Sequence, residues 1–459
     1  MKPKTTLVLV AVFAVLLTAV LLFESRGKAR IEKEEKGKKI VDLASAAVER
    51  ISLKNDSGKI AFKKDDKGEW WITEPLEAKA DSSEVSRLAE DFSSLKFERI
   101  VEAEGGDPVK YEIPKKELIL WYKDIEQPVK LLIGMENPLD NTLFAQREGD
   151  KRIVLLASYL KTNLDKKTVD FRQKDIFTFQ LDDVGSISLK AKDISWQARK
   201  KADEWFLESP VKALARKGPV EEVLRALSNL KAKDFVAEEK PDAEVAKYGL
   251  KEPEYSITLG LPAKNQEIMF SLHKQDETVY ATTSVSNKIV TAEGQVLTDI
   301  EKKAEDLREK QVAVFNSWEA NQVRVNKGDL ALTVAKDKDN KWAFEGAPRE
   351  EADPSRVETF IRKIESLEAV EFIDSPAELK TYGLDPPQAE VTVWTKDGEK
   401  AREVRVLVGT EDPEKKQVIL KNADLDYLFR VDSSFLSEFP KDAKDWRPAP
   451  PEEKKETAK

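Results

Sequence analysis

Apolar and polar residues alternate near the start of the charged part of the chain, and the same pattern returns twice. Ile51-x-Leu53, Ile187-x-Leu189 and Val323-x-Val325 open it at intervals of 136 and 136 residues. A period of two predicts strands with one buried face and one wet face. A polar turn follows each time: Asp65-Asp66-Lys67-Gly68, Lys201-Ala202-Asp203 and Asp337-Lys338-Asp339-Asn340. A tryptophan comes next, at Trp70, Trp205 and Trp342, spaced by 135 and 137.

The period then changes to that of a helix. Val85, Leu88, Phe92 and Leu95 form the first stripe, opened by Asp81 with Glu84 three residues on, as in a capping box. Val220, Val223, Leu224, Leu227 and Leu230 form the second, behind Gly218-Pro219. Val357, Phe360, Ile361, Ile364 and Leu367 form the third, where Asp353-Pro354 supplies a capping carboxylate and a proline at the first helical position.

A tyrosine turn follows each helix: Tyr248-Gly249-Leu250-Lys251-Glu252-Pro253, Tyr382-Gly383-Leu384-Asp385-Pro386-Pro387, and the shorter Tyr111-Glu112-Ile113-Pro114. Glycine suits a positive φ, so Glu112 predicts a locally different first turn. Alternating strands resume, for example Leu118-x-Leu120-x-Tyr122, Ile257-x-Leu259-x-Leu261 and Val404-x-Val406-x-Val408. Each copy closes on a helical stretch and a tag: Asp170-Phe171-Arg172, Asp306-Leu307-Arg308 or Asp445-Trp446-Arg447. This order of landmarks, met three times, defines a triplicated module of about 136 residues. The expected fold class is α+β, with three tandem modules of mainly antiparallel sheet and one or two helices each. Each module is large enough to hold its own core, so independent beads are expected.

Before the modules, residues 5–23 carry no charge over 19 positions, enough to cross a bilayer as a helix. Phe23-Glu24-Ser25-Arg26 lacks a small-x-small cleavage site, so an uncleaved anchor is expected. The expected organisation is an anchor at 1–23, a charged linker at 24–46, modules at 47–178, 179–316 and 317–448, and a disordered tail at 449–459. Arg26, Lys28, Arg30, Lys33, Lys36, Lys38 and Lys39 follow the anchor, and a positive-inside count puts that flank in the cytoplasm. Large domains nevertheless cross largely regardless of charge.

Composition narrows the chemistry. The chain has 459 residues, 40% hydrophobic and 36% charged, with a net charge of -9. That balance lacks the concentrated basic footprint of a nucleic-acid-binding protein. With no cysteine and one histidine, disulfides, thiolate chemistry and His/Cys zinc sites are excluded. His273 stands at a strand end where the other copies carry Gly134 and Gly409. It reads as a drifted turn residue rather than a general base, and no Gly-x-Ser-x-Gly elbow accompanies it. Asp337-x-Asp339 begins like a calcium loop, but Lys341 and Trp342 occupy its fifth and sixth positions. The carboxylate pairs Asp65-Asp66, Asp182-Asp183 and Glu221-Glu222 carry no spatial information by themselves. No catalytic, cofactor-binding or metal-binding residue is assigned. The recurring tryptophans are expected in the core, and Trp71, Trp121, Trp196 and Trp394, which show no recurrence in sequence, at the surface.

The order of tryptophan before a proline, capped helix, Tyr-Gly-Leu-x-x-Pro, strand and Asp-x-Arg tag resembles the bacterial family known as domain of unknown function 4340. The strongest marks are Trp205-Phe206-Leu207-Glu208-Ser209-Pro210 and the two intact Tyr-Gly-Leu turns, with Trp70-Trp71-Ile72-Thr73-Glu74-Pro75 in support. The resemblance covers nearly all of residues 47–448. It implies a single-pass protein of the bacterial inner membrane with periplasmic modules. It also implies an accessory or scaffold role beside an ABC-2-type, gliding-motility-like transporter, and no catalytic residues to transfer. The alternatives are a periplasmic glycan- or lipid-binding module and, third, a hydrolase of unknown type.

Overall fold

The computed structural model describes residues 37–346, 350–397 and 400–449. The expected anchor at 5–23, most of the linker and nearly all of the tail lie outside the described residues. Among the described residues no helix is long and apolar enough to cross a membrane.

Three antiparallel sheets follow one another, each with a helix of 12 residues inserted at the same point. The first holds β1 Val48–Asn55, β2 Gly58–Lys64, β3 Trp70–Glu74, β4 Ala78–Lys79, β5 Arg99–Glu102, β6 Lys116–Tyr122, β7 Val129–Glu136, β8 Leu143–Arg147 and β9 Ile153–Leu156, in the order β4-β3-β2-β1-β6-β7-β8-β9-β5. Helix α1, Ser82–Ser93, leaves β4 at one edge and delivers β5 at the other. A helix of that length spans about 18 Å, half the ~38 Å width of a flat nine-stranded sheet, so the sheet must curve around it. Residues of β1, β2, β3, β6, β7, β8 and β9 accordingly share one core with Val85, Leu88 and Phe92.

The second sheet repeats this order with β10 Ser186–Ala191, β11 Ile194–Lys201, β12 Glu204–Ser209, β13 Ala213–Ala215, β14 Asp234–Ala237, β15 Tyr255–Leu261, β16 Gln266–Gln275, β17 Thr278–Thr283 and β18 Ile289–Ala292, around α2, Lys217–Ser228. The third has eight strands: β19 Ala320–Lys327, β20 Leu330–Lys336, β21 Trp342–Phe344, β22 Glu371–Ile373, β23 Ala389–Asp397, β24 Lys400–Asp412, β25 Gln417–Asn422 and β26 Leu428–Asp432, around α3, Pro354–Glu365. Its missing edge strand is reduced to one bridge, Ala343 to Glu351.

Local chemistry accounts for the helices. Asp81 Oδ1 accepts from the backbone N–H of Ser83 and Glu84, and Asp353 Oδ1 from Ser355 and Arg356. Glu84 does not complete a capping box; it pairs with Lys166 and Arg87 instead. Helix α2 starts at Lys217 without a side-chain cap. Every stripe residue expected from the sequence is buried.

The tags explain how each module closes. The Asp170 carboxylate accepts from Lys167 N–H at 2.8 Å, Asp306 from Lys303 at 3.0 Å, and Asp445 from Lys441 at 2.6 Å. Phe171, Leu307 and Trp446 are buried behind them. Their carbonyls then accept the N–H of Asp81, Arg216 and Asp353, the residues that precede the three helices, at 2.7–2.8 Å. The tag thus satisfies a helix-start donor and pins the module's last turn to its central helix.

The tyrosine turns correct one expectation. Glu112 takes the left-handed conformation at φ 55°, as do Gly249 at 70° and Gly383 at 64°. The first turn therefore keeps the common geometry and bears the cost of a side chain there. Tight packing imposes it. A Cβ on Gly134 would stand 2.1 Å from the Tyr111 carbonyl oxygen, and one on Gly409 would stand 2.3 Å from that of Tyr382.

Two compact units result, one ending at Lys174 and one beginning at Asp175. The second holds two modules, which are joined rather than separate beads. The guanidinium of Arg308, from the second module's tag, lies 3.6 Å from the Phe372 ring centroid and 4.7 Å from that of Tyr427. It also pairs with Asp374. The Tyr427 hydroxyl accepts from Leu214 N–H at 3.3 Å, and Ala213 belongs to the third module's core.

Candidate functional site

His273 follows Leu272 on β16, level with Gly134 on β7 and Gly409 on β24. Its half-buried ring covers the second tyrosine turn, so that a Cβ on Gly249 would meet Cδ2 at 2.2 Å. Tyr280 lies across the strand pair and contacts the Tyr248 ring at 4.7 Å. His273 Nδ1 is buried with no hydrogen-bond partner, so no carboxylate orients the ring as a base. Its observable role is to fill the turn.

The acidic pairs are dispersed. Asp65 Oδ1 accepts from the N–H groups of Lys67 and Glu69, and Oδ2 accepts from Trp71 Nε1 at 3.2 Å. The Glu69 N–H first, with Trp71 and Lys67 assisting, holds its carboxyl below the usual carboxylate range. Asp182 and Asp183 face Lys200 and Lys264, while Glu221 and Glu222 face Arg225 and Lys302. Asp337 accepts from Asp339 and Lys341 N–H as a hairpin turn. Among the described residues no three potential ligands gather as a metal site.

The tryptophans divide differently from the sequence reading. Trp70, Trp205 and Trp342 are core residues, as their recurrence implies. Trp196 is also fully buried, contrary to expectation: it alternates inward on β11 opposite Leu189, and its Nε1 donates to the Lys302 carbonyl at 2.8 Å. Trp121 and Trp394 do recur. Arg50 faces Trp121 as Gln322 faces Trp394, and the second module places Gly260 at this point, opposite Ser186. Both indoles lie under a cation, with Arg50 5.1 Å from Trp121 and Arg324 5.2 Å from Trp394.

Register assembles a feature that no linear motif contains. On the outer face of the first sheet, Trp121, Arg50, Lys63, Trp71 and Lys79 form one row across five adjacent strands. Trp71 and Trp121 are half-buried, whereas Arg50 and Lys63 are exposed and have no ion-pair partner among the described residues. The matching rows are Gly260, Ser186, Arg199, Phe206 and Leu214 in the second sheet, and Trp394, Gln322, Ala335 and Ala343 in the third. The three copies thus share a core and a closing tag, and differ on the outer face.

Fold and surfaces together define a tandem array of antiparallel sheet modules. The sequence matches the family described as Domain of unknown function (DUF4340) over residues 70–236, 205–387 and 373–449, and the chain belongs to that family. No curated protein matches it. Among solved structures, the DNA polymerase sliding clamp from Pseudomonas aeruginosa with ligand is 8% identical, covering 86% of this chain and 94% of that one at a TM-score of 0.16. The DNA polymerase III subunit beta from Pseudomonas aeruginosa is 9% identical, with the same coverages and the same TM-score of 0.16. Likeness at that level carries no argument about fold or function.

Proposed function

We propose that the chain is a non-enzymatic, single-pass protein of the bacterial inner membrane whose modules stand in the periplasm. There it serves as an accessory or scaffold subunit of an ABC-2-type, gliding-motility-like transporter complex. The observation that carries this reading is where the recurring residues are used. The tryptophans, the helix stripes and the Asp-x-Arg tags close the modules, and the variable residues lie on outer sheet faces. Such a molecule acts through the surfaces it presents. The uncharged stretch 5–23 supports the anchor; the transporter association is the expectation that the sequence resemblance raises, and the matched family is itself one of unknown function. A second reading, a glycan- or lipid-binding module, is favoured by the row from Trp121 to Lys79.

In-cell crosslinking, capture of the tagged full chain and mass spectrometry test the first reading. Permease or auxiliary subunits should be recovered, and should be lost when the modules are deleted and the anchor kept. Absence of such subunits from correctly localised protein overturns it.

A further inference from the structure

The outer face of the first sheet differs from its two siblings in charge as well as in aromatic content. Besides the row of Trp121, Arg50, Lys63, Trp71 and Lys79, Lys54 lies between Glu117 and Lys59 on the same face. Lys59 and Lys79 are paired with Glu74 and Glu69, and Lys130 with both Glu117 and Glu148. Among the described residues Arg50, Lys54 and Lys63 have no ion-pair partner; set against Asp65 and the second carboxylate on Lys130, they leave this face a small cationic excess in a chain whose net charge is -9. The Asp65 hairpin borders the row beside Trp71 and keeps an opposing negative charge there, held ionised by the hydrogen bonds it accepts from Trp71 and the turn. Strand spacing puts the two indoles about 14 Å apart, with Arg50, which lies over Trp121, and Lys63 between them.

We infer that this face docks on an anionic phospholipid surface. Half-exposed tryptophan interleaved with arginine and lysine is the composition of the headgroup level of a bilayer. Each cation near an anionic leaflet adds a modest, salt-sensitive attraction. The inference rests on the anchor reading for proximity. Phe23 and Lys39, the latter bridged to Lys96 of the first module, are 16 positions apart, which limits the tether to at most about 55 Å. Neither of the other sheets combines two row tryptophans with unpaired cations.

The test uses the full chain, purified in detergent. It is mixed with vesicles of phosphatidylcholine, or of phosphatidylcholine and phosphatidylglycerol, each with brominated acyl chains, and the detergent is removed. Vesicle flotation reports association, and tryptophan quenching reports contact. The expected result is association with both vesicles and extra quenching only with the anionic ones. That quenching should be lost at high salt, in Trp71→Phe/Trp121→Phe, and in Arg50→Glu/Lys63→Glu. Association and quenching with anionic vesicles alone would support the docking face and contradict the anchor. Association with both vesicles and equal quenching would overturn the docking face and leave the anchor standing. Association with neither overturns both. An emission shift caused by a soluble anionic polysaccharide, with no dependence on lipid charge, overturns the lipid assignment in favour of a glycan.

Discussion

Replacing Arg308 with alanine is expected to destabilise the unit beginning at Asp175 by about 3 kcal/mol, the low end for breaking a buried ion pair. The guanidinium is buried, stacked on Phe372 and Tyr427 and paired with Asp374, so alanine removes a planar cation from between two modules. Asp374 is 41% exposed and can regain water, which keeps the loss from being larger. Arg308→Lys should fall between wild type and alanine, since it keeps the charge and loses the planar fork. Amide hydrogen exchange, read by peptide, is the suitable measurement because several modules unfold in one chain. Exchange should accelerate roughly 100-fold in peptides around 308–312, 367–374 and 425–430, and stay unchanged in the unit ending at Lys174. Unchanged protection at the junction would show that the two modules are held by something else.

Trp205→Ala is expected to cost about 4 kcal/mol, and Trp71→Ala less than about 1 kcal/mol. Trp205 is 2% exposed and packs in a core with α2 and the inner strand faces. Trp71 lies on the outer face, with one hydrogen bond to Asp65. The same exchange measurement should show lost protection throughout β10 to β18 for the first variant and only local change near β3 for the second. Similar losses for both would mean that the recurring tryptophans are not the module's core.

This contrast also marks how far the sequence could be read. Period, helix stripes and recurring landmarks are local or repeat at a fixed spacing, so Val85, Trp205 and the Asp306 tag were visible in one dimension. Features that depend on pairing were not. Trp121 and Trp394 lie 70 and 71 residues after Ile51 and Val323, a one-residue offset that hides their equivalence until the ladder is seen. The row from Trp121 to Lys79 joins five strands and has no linear signature. Trp196 alternates with Ser195 and Gln197 on β11, a local signal for the inner face that outweighs its failure to recur. The Arg308 clamp needed Phe372 and Tyr427, which lie 64 and 119 residues further on. Glu112 shows the reverse case, where tertiary packing imposes on a glutamate the backbone that local propensity would reserve for glycine.

Because the chain contains no cysteine, its topology can be measured with single introduced thiols. Asp66→Cys in the first module and Asp339→Cys in the third place a thiol in exposed hairpins, and Lys2→Cys marks the other side of the anchor. Intact cells are treated with a membrane-impermeant maleimide that crosses the outer but not the inner membrane. The account predicts labelling at positions 66 and 339, and labelling at position 2 only after lysis. Labelling at position 2 in intact cells with protection of the two hairpins would contradict the periplasmic placement on which the proposed function depends.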